Sequence, residues 1–119
     1  METPRVHVQA NSGFLRHALQ LFLLSTLGDQ IIVVDADAAR SERADVVLTV
    51  DSSCPLGVCQ ELAGLTPAVV VLAALPRSDD EARYYRAGAA AYLPMDVPAD
   101  SLMNAITRVL RRAELGVRT

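Results

Sequence analysis

Hydrophobic and polar positions follow two alternating patterns along the chain. Short runs rich in β-branched residues predict five strands, at residues 5–10, 30–35, 45–50, 68–73 and 90–93. Apolar positions at helical spacing predict four helices between them, at about 13–27, 55–65, 78–87 and 98–115. Several strands are continuous apolar runs, which is typical of parallel strands covered by helices on both faces. We therefore predict an α/β fold, a three-layer sandwich around a five-stranded parallel sheet.

The connection between the second and third predicted strands is short. Only residues 36–44 lie between them, fewer than the stretch of about a dozen residues that a helical crossover usually needs. The second crossover helix is therefore expected to be shortened to a single turn, or to be replaced by a loop.

The first and last helices carry the clearest apolar stripes. Asn11 or Ser12 is the expected N-cap of the first helix. Its predicted core stripe consists of Phe14, Leu15, Ala18, Leu19, Phe22 and Leu23. Leu21 and Leu24 lie off that stripe. Pro98 marks the first turn of the last helix. The predicted core stripe there consists of Leu102, Ile106, Val109 and Ala113, with Met103 and Leu110 one position round.

Composition narrows the range of partners. All eleven basic residues are arginine, and the formal net charge is −3. Neither nucleic acid nor an anionic membrane would attract such a domain as a whole. The most apolar run, residues 19–24, is too short to cross a bilayer, which takes about 20 residues. The N-terminus, Met-Glu-Thr-Pro-Arg, is not a signal peptide. We expect a cytoplasmic protein with no membrane partner.

Side chains that could carry chemistry are few. Cys54 and Cys59 match no zinc motif and are interpreted as ordinary thiols of a reducing compartment. His7 and His17 have no visible catalytic partners, and His7 is expected to pack in the core. The turn at Asn11 matches neither a P-loop nor a dinucleotide fingerprint. We predict no enzyme, no cofactor, no metal site and no catalytic residue.

One segment resembles a known family. Arg86-Ala-Gly-Ala-Ala-Ala-Tyr-Leu-Pro-Met-Asp96, followed by a Pro-started helix, is similar to the fourth helix, fifth strand and fifth helix of response-regulator receiver domains, especially the LuxR/NarL type. Arg5-Val-His-Val-Gln-Ala-Asn-Ser-Gly-Phe-Leu-Arg16 resembles their first strand and helix start. Ala44-Asp-Val-Val-Leu-Thr-Val-Asp51 resembles their third strand. The resemblance covers about residues 5–115. It implies strand order 2-1-3-4-5 in a single domain, 1–119, whose residues 116–119 form a tail or the start of a linker.

The same resemblance implies where a phosphorylation site would lie. In that family, two acidic residues after the first strand hold Mg²⁺, and an Asp after the third accepts the phosphoryl group. A Ser/Thr after the fourth strand and a Lys after the fifth contact the phosphoryl oxygens. The matching positions here are Ala10, Asn11, Asp51, Ala73 and Met95. Only Asp51 keeps the required chemistry, so the chain resembles a pseudo-receiver that has lost the phosphorylation machinery.

The acceptor position has two assignments. Counting from Pro55 gives Asp51, whereas counting from Asp45 gives Val50. A strand buried on both faces has no period-two pattern that would settle its register. We interpret Asp51 as a helix-capping or solvated residue rather than as a phosphoryl acceptor. Tyr92 holds the position of the family's switch aromatic, and simple packing against the preceding helix is the alternative to a moving switch.

Two classes of function remain, and the first is a protein-interaction module that forms homodimers. One possible face combines the first and last helices and would expose Leu21, Leu24, Met103 and Leu110. The other possible face combines the 78–87 helix, the last strand and the last helix, and would offer Arg83, Tyr84 and Arg86.

The second class is a small-molecule sensor that uses the former phosphorylation crevice. Its apolar lining would consist of Ala10, Ala73 and Met95, with Asn11, Ser12 and Asp51 as polar groups. In either case, the resemblance implies that DNA is bound only through a separate C-terminal helix-turn-helix that these residues do not contain.

Overall fold

The structure is a computed structural model, and it describes residues 3–34, 45–65 and 68–115. Its strands are β1 (Arg5–Gln9), β2 (Ile32–Val34), β3 (Val46–Val50), β4 (Val69–Ala73) and β5 (Ala91–Pro94). Its α-helices are α1 (Gly13–Leu27), α2 (Leu56–Leu65), α3 (Ser78–Arg86) and α4 (Ala99–Leu115). Two 3-10 turns, Gly28–Gln30 and Asp51–Ser53, follow α1 and β3. Among these helices, none is long and apolar enough to cross a membrane.

All five strands pair in parallel, in the order β2-β1-β3-β4-β5. The predicted fold class and strand order are confirmed. Most predicted bounds agree to within a residue or two, and the largest difference is at β2, where the 3-10 turn occupies Gln30 and the strand begins at Ile32. The predicted short crossover, residues 36–44, lies outside the described residues.

The sheet separates two layers of core. On the α1 and α4 side, alternate strand residues such as Val8, Leu48 and Leu72 pack against buried helix residues such as Leu23 and Ile106. On the α2 and α3 side, the intervening strand residues pack with two tyrosines and two cysteines. This second cluster consists of Cys54, Cys59, Val69, Val71, Ala73, Tyr84, Ala87, Ala89 and Tyr92. Because successive strand residues point to opposite faces, the continuous apolar runs fill both layers at once.

The N-terminus of α1 is capped as the sequence predicts, but its apolar stripe is shorter than predicted. Ser12 Oγ accepts a hydrogen bond from the Leu15 N–H at 3.1 Å. Leu19 and Leu23 are buried, whereas Phe14 is 86% exposed and Ala18 is also exposed. Helical spacing alone places Phe14 on the core stripe. The first turn of α1 lies at the carboxyl edge of the sheet, beyond the end of β1, so the sheet does not cover this ring.

The stripe of α4 is confirmed where its side chains are described. Leu102, Ile106 and Val109 are buried, and Met103 and Leu110 are half-buried against the same core. The side chain of Ala113 lies outside the described residues.

Gly88 ends the α3 region at a position that requires glycine. Its φ is +108°, in the region that L side chains rarely adopt. A Cβ at this position would lie 2.6 Å from the Cβ of Ala63 on α2. Gly88 therefore allows α2 and α3 to pack closely on one side of the sheet, which gives a physical reason for the glycine in the Arg86-Ala-Gly88 sequence.

Candidate functional site

The carboxyl ends of the strands bring most of the predicted site residues to one edge of the sheet. In the pairing register, Gln9 lies opposite Thr49, and Ala73 lies opposite Pro94. The residues that follow these strand ends therefore meet at the same edge. β2 lies on one side of β1, and β3 lies on the other side, so the strand order reverses next to β1. Ligands of open parallel sheets bind at the carboxyl edge beside such a reversal, which is called the topological switch point.

Two neutral side chains connect the loop after β1 to the turn after β3. The backbone N–H of Asn11 donates to Ser53 Oγ at 3.2 Å. Ser53 Oγ in turn donates to Asn11 Oδ1 at 3.1 Å. Ser53 is only 3% exposed. We call these two hydrogen bonds the Asn11–Ser53 bridge. Because they satisfy the amide oxygen and the hydroxyl with each other, this part of the edge is closed by uncharged groups.

The residues at this edge do not fit Mg²⁺. The metal binds carboxylate oxygens in a tight octahedron. The two positions that would supply carboxylates after β1 hold Ala10 and Asn11, and the Oδ1 of Asn11 already accepts from Ser53. Asp51 is the one carboxylate among the five positions. A single carboxylate beside an alanine and an engaged amide is a poor site for this metal.

Val50 and Asp51 lie in different environments. Val50 has no exposed surface and belongs to the core on the α1 and α4 side. Asp51 is half-buried and begins the 3-10 turn after β3. Its backbone carbonyl accepts from the N–H of Cys54 at 3.3 Å and from the hydroxyl of Tyr84 at 3.5 Å. A carboxylate at the end of β3 is therefore available only at Asp51.

At the positions of the family's hydroxyl and lysine, the two side chains lie on opposite faces of the sheet. Ala73 has no exposed surface and belongs to the cluster on the α2 and α3 side. The backbone N–H of Met95 donates to the Ala73 carbonyl at 2.9 Å. The Met95 side chain, 37% exposed, turns to the α1 side of the sheet. Both positions hold apolar side chains that contact different helices, so they provide no charge or hydroxyl at the edge.

Two cavities flank this edge. A polar cavity of about 360 Å³ is lined by Asp51, Ser52, Pro55, Leu56, Asp80, Arg83 and Tyr84. An apolar groove of about 240 Å³ is lined by Leu15, Ala18, Leu19, Phe22, Leu72 and Met95. Neither is lined by Ala10 or Ala73. The crevice lined by Ala10, Ala73 and Met95 therefore stays a prediction, of which the apolar groove contains Met95 alone.

The aromatic residues on the α3 side form a closed stack. The rings of Tyr84 and Tyr92 lie 5.5 Å apart at an interplanar angle of 28°. The Tyr84 hydroxyl donates to the Cys54 carbonyl at 2.8 Å, and burial raises the pKa of Tyr84 to about 12. Tyr92 is 6% exposed, and its hydroxyl accepts from the backbone N–H of Arg77 at 3.5 Å. Tyr92 is therefore packed inward against α3.

This stack corrects one predicted interface residue. Tyr84 was expected to offer a surface anchor, but it is buried, because its ring faces the sheet and its hydroxyl is bonded to a backbone carbonyl. The tyrosine that α3 exposes is Tyr85. Arg83 and Arg86 are exposed on the same helix, and Arg83 pairs with Asp80 at 3.4 Å.

The two cysteines are part of the core. Cys54 and Cys59 have no exposed surface. Burial, with a smaller contribution from Cys59, raises the pKa of the Cys54 thiol to about 11. Burial also raises the pKa of Cys59. Both are protonated at neutral pH and are poor nucleophiles or metal ligands in that form. The described residues contain no group of three or more side chains placed to hold a metal.

The predicted apolar face on the first and last helices is present on α1 alone. Leu21 and Leu24 are 53% and 49% exposed. Met103 and Leu110 are instead half-buried against the core of α4. Sequence reasoning missed Phe14, the most exposed large apolar side chain of α1. Its position in the first turn, beyond the end of β1, is the signal that could have identified it.

Comparisons with known proteins agree with this architecture. A scan against protein-family models matches none of them, and a search of curated proteins finds no match. Solved structures do match. A response regulator from Thermotoga maritima is 22% identical, covers 92% of this chain and 99% of its own, and superposes with a TM-score of 0.74. The signal receiver domain of NarL from Mycobacterium tuberculosis is 18% identical, with coverages of 93% and 98% and a TM-score of 0.73. A receiver domain protein from Clostridium thermocellum is 23% identical, with coverages of 94% and 98% and a TM-score of 0.71. The chain has the fold of response-regulator receiver domains.

Proposed function

We propose that this chain is an atypical receiver domain of the LuxR/NarL type that regulates transcription without being phosphorylated. On this proposal, it is a single cytoplasmic, non-enzymatic domain that acts by dimerising or by binding another protein. DNA is contacted only by a separate C-terminal helix-turn-helix. The observation that carries the proposal is the Asn11–Ser53 bridge, because uncharged groups bonded to each other stand where the family's chemistry needs free carboxylates.

The charges at the carboxyl edge support this proposal. Phosphoryl transfer depends on positioning and on neutralising the charge of the transferred group. A phosphate on Asp51 would add about two negative charges. Of the surrounding positions, Ala10, Asn11, Ala73 and Met95 provide no cation, no metal-binding carboxylate and no hydroxyl. Transfer to Asp51 would therefore lack the groups that stabilise its transition state.

The packing of the switch aromatic supports the loss of the conformational response. In the family that this chain resembles, a hydroxyl after the fourth strand moves onto the phosphate, and the aromatic follows it inward. Here Ala73 has no hydroxyl to move, and Tyr92 is already inside, stacked on Tyr84. We infer that the domain holds one conformation of this edge permanently.

An amide NMR titration with Mg²⁺ and beryllofluoride, a phosphoryl mimic, tests the proposal. The expected result is no saturable shift at the amides of Asp51, Ala73 and Tyr92. Saturable shifts that begin at Asp51 and spread to Tyr92 would contradict it, because they would mean that a phosphoryl group is bound and that the switch responds.

A variant with restored groups sharpens this titration. Ala10→Asp and Asn11→Asp return the two carboxylates, and Met95→Lys returns the cation. If Asp51 stands in the acceptor position, the triple variant should gain saturable shifts that the wild type lacks. A folded triple variant without shifts would mean that the three restored groups do not rebuild a phosphoryl site around Asp51.

A small-molecule sensor is the alternative function, and the polar cavity favours it. Its wall combines Asp51 and Asp80 with Arg83 and the ring of Tyr84, a mixture of charges and aromatic surface that suits a small polar ligand. A thermal-shift screen of metabolites distinguishes the two functions. A ligand that raises the melting temperature, and does so less in Arg83→Gln, would favour sensing over constitutive interaction.

A further inference from the structure

We infer that Phe14 of one copy of this chain inserts into the apolar groove beside α1 of a second copy, so that α1 forms the centre of a symmetric dimer. This inference rests on the proposed function, because it names the surface through which the domain pairs. The contact consists of the Phe14 ring as the inserted group and the groove lined by Leu15, Ala18, Leu19, Phe22, Leu72 and Met95 as its receptor.

α1 exposes more large apolar surface than is usual for a surface helix. Phe14 is 86% exposed, and Leu21 and Leu24 on the same helix are 53% and 49% exposed. The spacings of seven and ten residues place these three side chains on one side of α1. Ala18, also exposed, lies between them. An exposed stripe of large apolar side chains marks a partner surface.

The receptor lies directly beside that stripe and shares a residue with it. The groove is open, has a volume of about 240 Å³, and is lined only by apolar side chains. Ala18 belongs to both the stripe and the groove. Met95, which is 37% exposed, forms the wall opposite α1. Met is unbranched and adaptable, so this wall can adjust to an aromatic ring.

A second copy is the occupant that this arrangement fits. A two-fold interface places the same patch on both subunits, so it needs an inserted group and its receptor side by side on one surface. Antiparallel pairing of two α1 helices about Ala18 brings each Phe14 opposite Phe22 in the groove of the other copy. The small Ala18 side chain at the centre lets the two helices approach closely.

The charges of α1 are compatible with self-association. The helix contains no Asp or Glu, and its only titratable side chains are Arg16 and His17. The domain as a whole carries a net charge of −3. Two copies that meet through α1 therefore bring together no carboxylates of that helix, whereas an approach through the acidic first turn of α3 would bring three from each copy. The net negative charge also disfavours an anionic membrane as the occupant.

Sedimentation velocity over a dilution series from millimolar to micromolar chain tests the inference. The wild type should sediment as a dimer that dissociates on dilution. Phe14→Ser removes the inserted ring, and Ala18→Glu places a charge at the centre of the groove. Each variant should raise the dimer Kd by about 100-fold or more, because two symmetric contacts are lost at once.

Leu75→Ser is the matched control. Leu75 is 80% exposed, like Phe14, but it lies in the loop after β4 and does not line the apolar groove. Its variant should dimerise like the wild type. Circular dichroism checks that all variants fold, and both tested positions are exposed, so their replacement leaves the core intact.

The possible outcomes separate this inference from the proposed function. If the wild type dimerises and both α1 variants dimerise equally well, the α1 contact is wrong, while dimerisation through another face stands. If the wild type remains a monomer at every concentration, both the α1 contact and homodimerisation fail. The absence of phosphorylation is judged separately by the beryllofluoride titration.

Discussion

The packing at the carboxyl edge of the sheet differs between the two faces of the sheet. On the α3 side, Tyr84 and Tyr92 stack, the Tyr84 hydroxyl is bonded to the Cys54 carbonyl, and Gly88 lets α2 and α3 pack closely. On the α1 side, the edge is left open, with an apolar groove and the exposed ring of Phe14. The α3 side is thus held by internal contacts, and the α1 side has apolar surface that the described residues do not cover.

This difference matters because the receiver fold usually transmits a signal across the α3 side of the edge. In this chain the groups that would move are held by hydrogen bonds and close packing. The surface that is free to bind a partner is on the other side, at the start of α1. This distribution supports the proposal of permanent association rather than switching. Substitutions on the α3 side test how strongly its contacts stabilise the folded domain.

The largest effect is expected for Gly88→Ala. The new Cβ would lie 2.6 Å from the Ala63 Cβ, and alanine would be strained at a φ of +108°. Overpacking and backbone strain together should lower the free energy of unfolding by about 2–4 kcal/mol. Urea unfolding measures this change.

Gly64→Ala on α2 is the control for Gly88→Ala. A Cβ at Gly64 would meet nothing within 4 Å, and alanine favours a helix over glycine by about 1 kcal/mol. This control should be neutral or stabilising. Equal, small effects of both substitutions would mean that α2 and α3 are loosely packed, and the contrast between the two sides of the sheet would be lost.

A smaller effect is expected for Tyr84→Phe. The substitution keeps the stacked ring but removes the hydroxyl that donates to the Cys54 carbonyl at 2.8 Å. Loss of this buried hydrogen bond should reduce the free energy of unfolding by about 1–2 kcal/mol. Tyr85→Phe is the matched control, because Tyr85 is 45% exposed, and it should be nearly neutral.

The difference in stability between the wild type and Tyr84→Phe should depend on pH. Burial raises the pKa of Tyr84 to about 12 in the folded chain, whereas an unfolded chain ionises tyrosine near pH 10. The stabilisation from the neutral, buried phenol is complete below about pH 10 and is lost as the pH rises through 12. The difference in melting temperature between wild type and Tyr84→Phe should therefore shrink over this range. A constant difference would mean that solvent reaches the Tyr84 hydroxyl.

The fold could be predicted from the sequence almost completely, for a physical reason. Parallel strands buried on both faces need continuous apolar runs, and the helices between them need apolar stripes, so both patterns are visible without coordinates. The stripe of α4 was predicted correctly because the sheet covers this helix along its described length. The stripe of α1 was not, because its first turn lies beyond the sheet, and helical spacing cannot show where the covering layer ends.

The site was less predictable than the fold. The resemblance assigned the site positions to Ala10, Asn11, Ala73 and Met95. It could not show towards which face of the sheet each side chain points. Met95 turns to α1, while Ala73 belongs to the opposite layer. The bridge between Asn11 and Ser53 joins residues 42 positions apart in the chain. Contacts of this kind depend on how two loops meet at the sheet edge, and a pattern of hydropathy does not record them.

The smallest effect is expected for Ser53→Ala, at the boundary between the two sides. Ser53 is 3% exposed, and its hydroxyl both accepts from the Asn11 N–H and donates to Asn11 Oδ1. Asn11 itself is exposed, so water can replace the lost partner. The free energy of unfolding should fall by only about 0.5–1 kcal/mol.

Ser52→Ala is the control for Ser53→Ala. It replaces an exposed serine of the same turn and should leave the free energy of unfolding unchanged. If the Asn11–Ser53 bridge is what closes the edge, Ser53→Ala should speed amide hydrogen exchange at Asn11 and leave exchange at the buried Val71 on β4 unchanged. Unchanged exchange at Asn11 would mean that the edge is closed by packing alone. The Asn11–Ser53 bridge would then accompany the closed edge without being its cause.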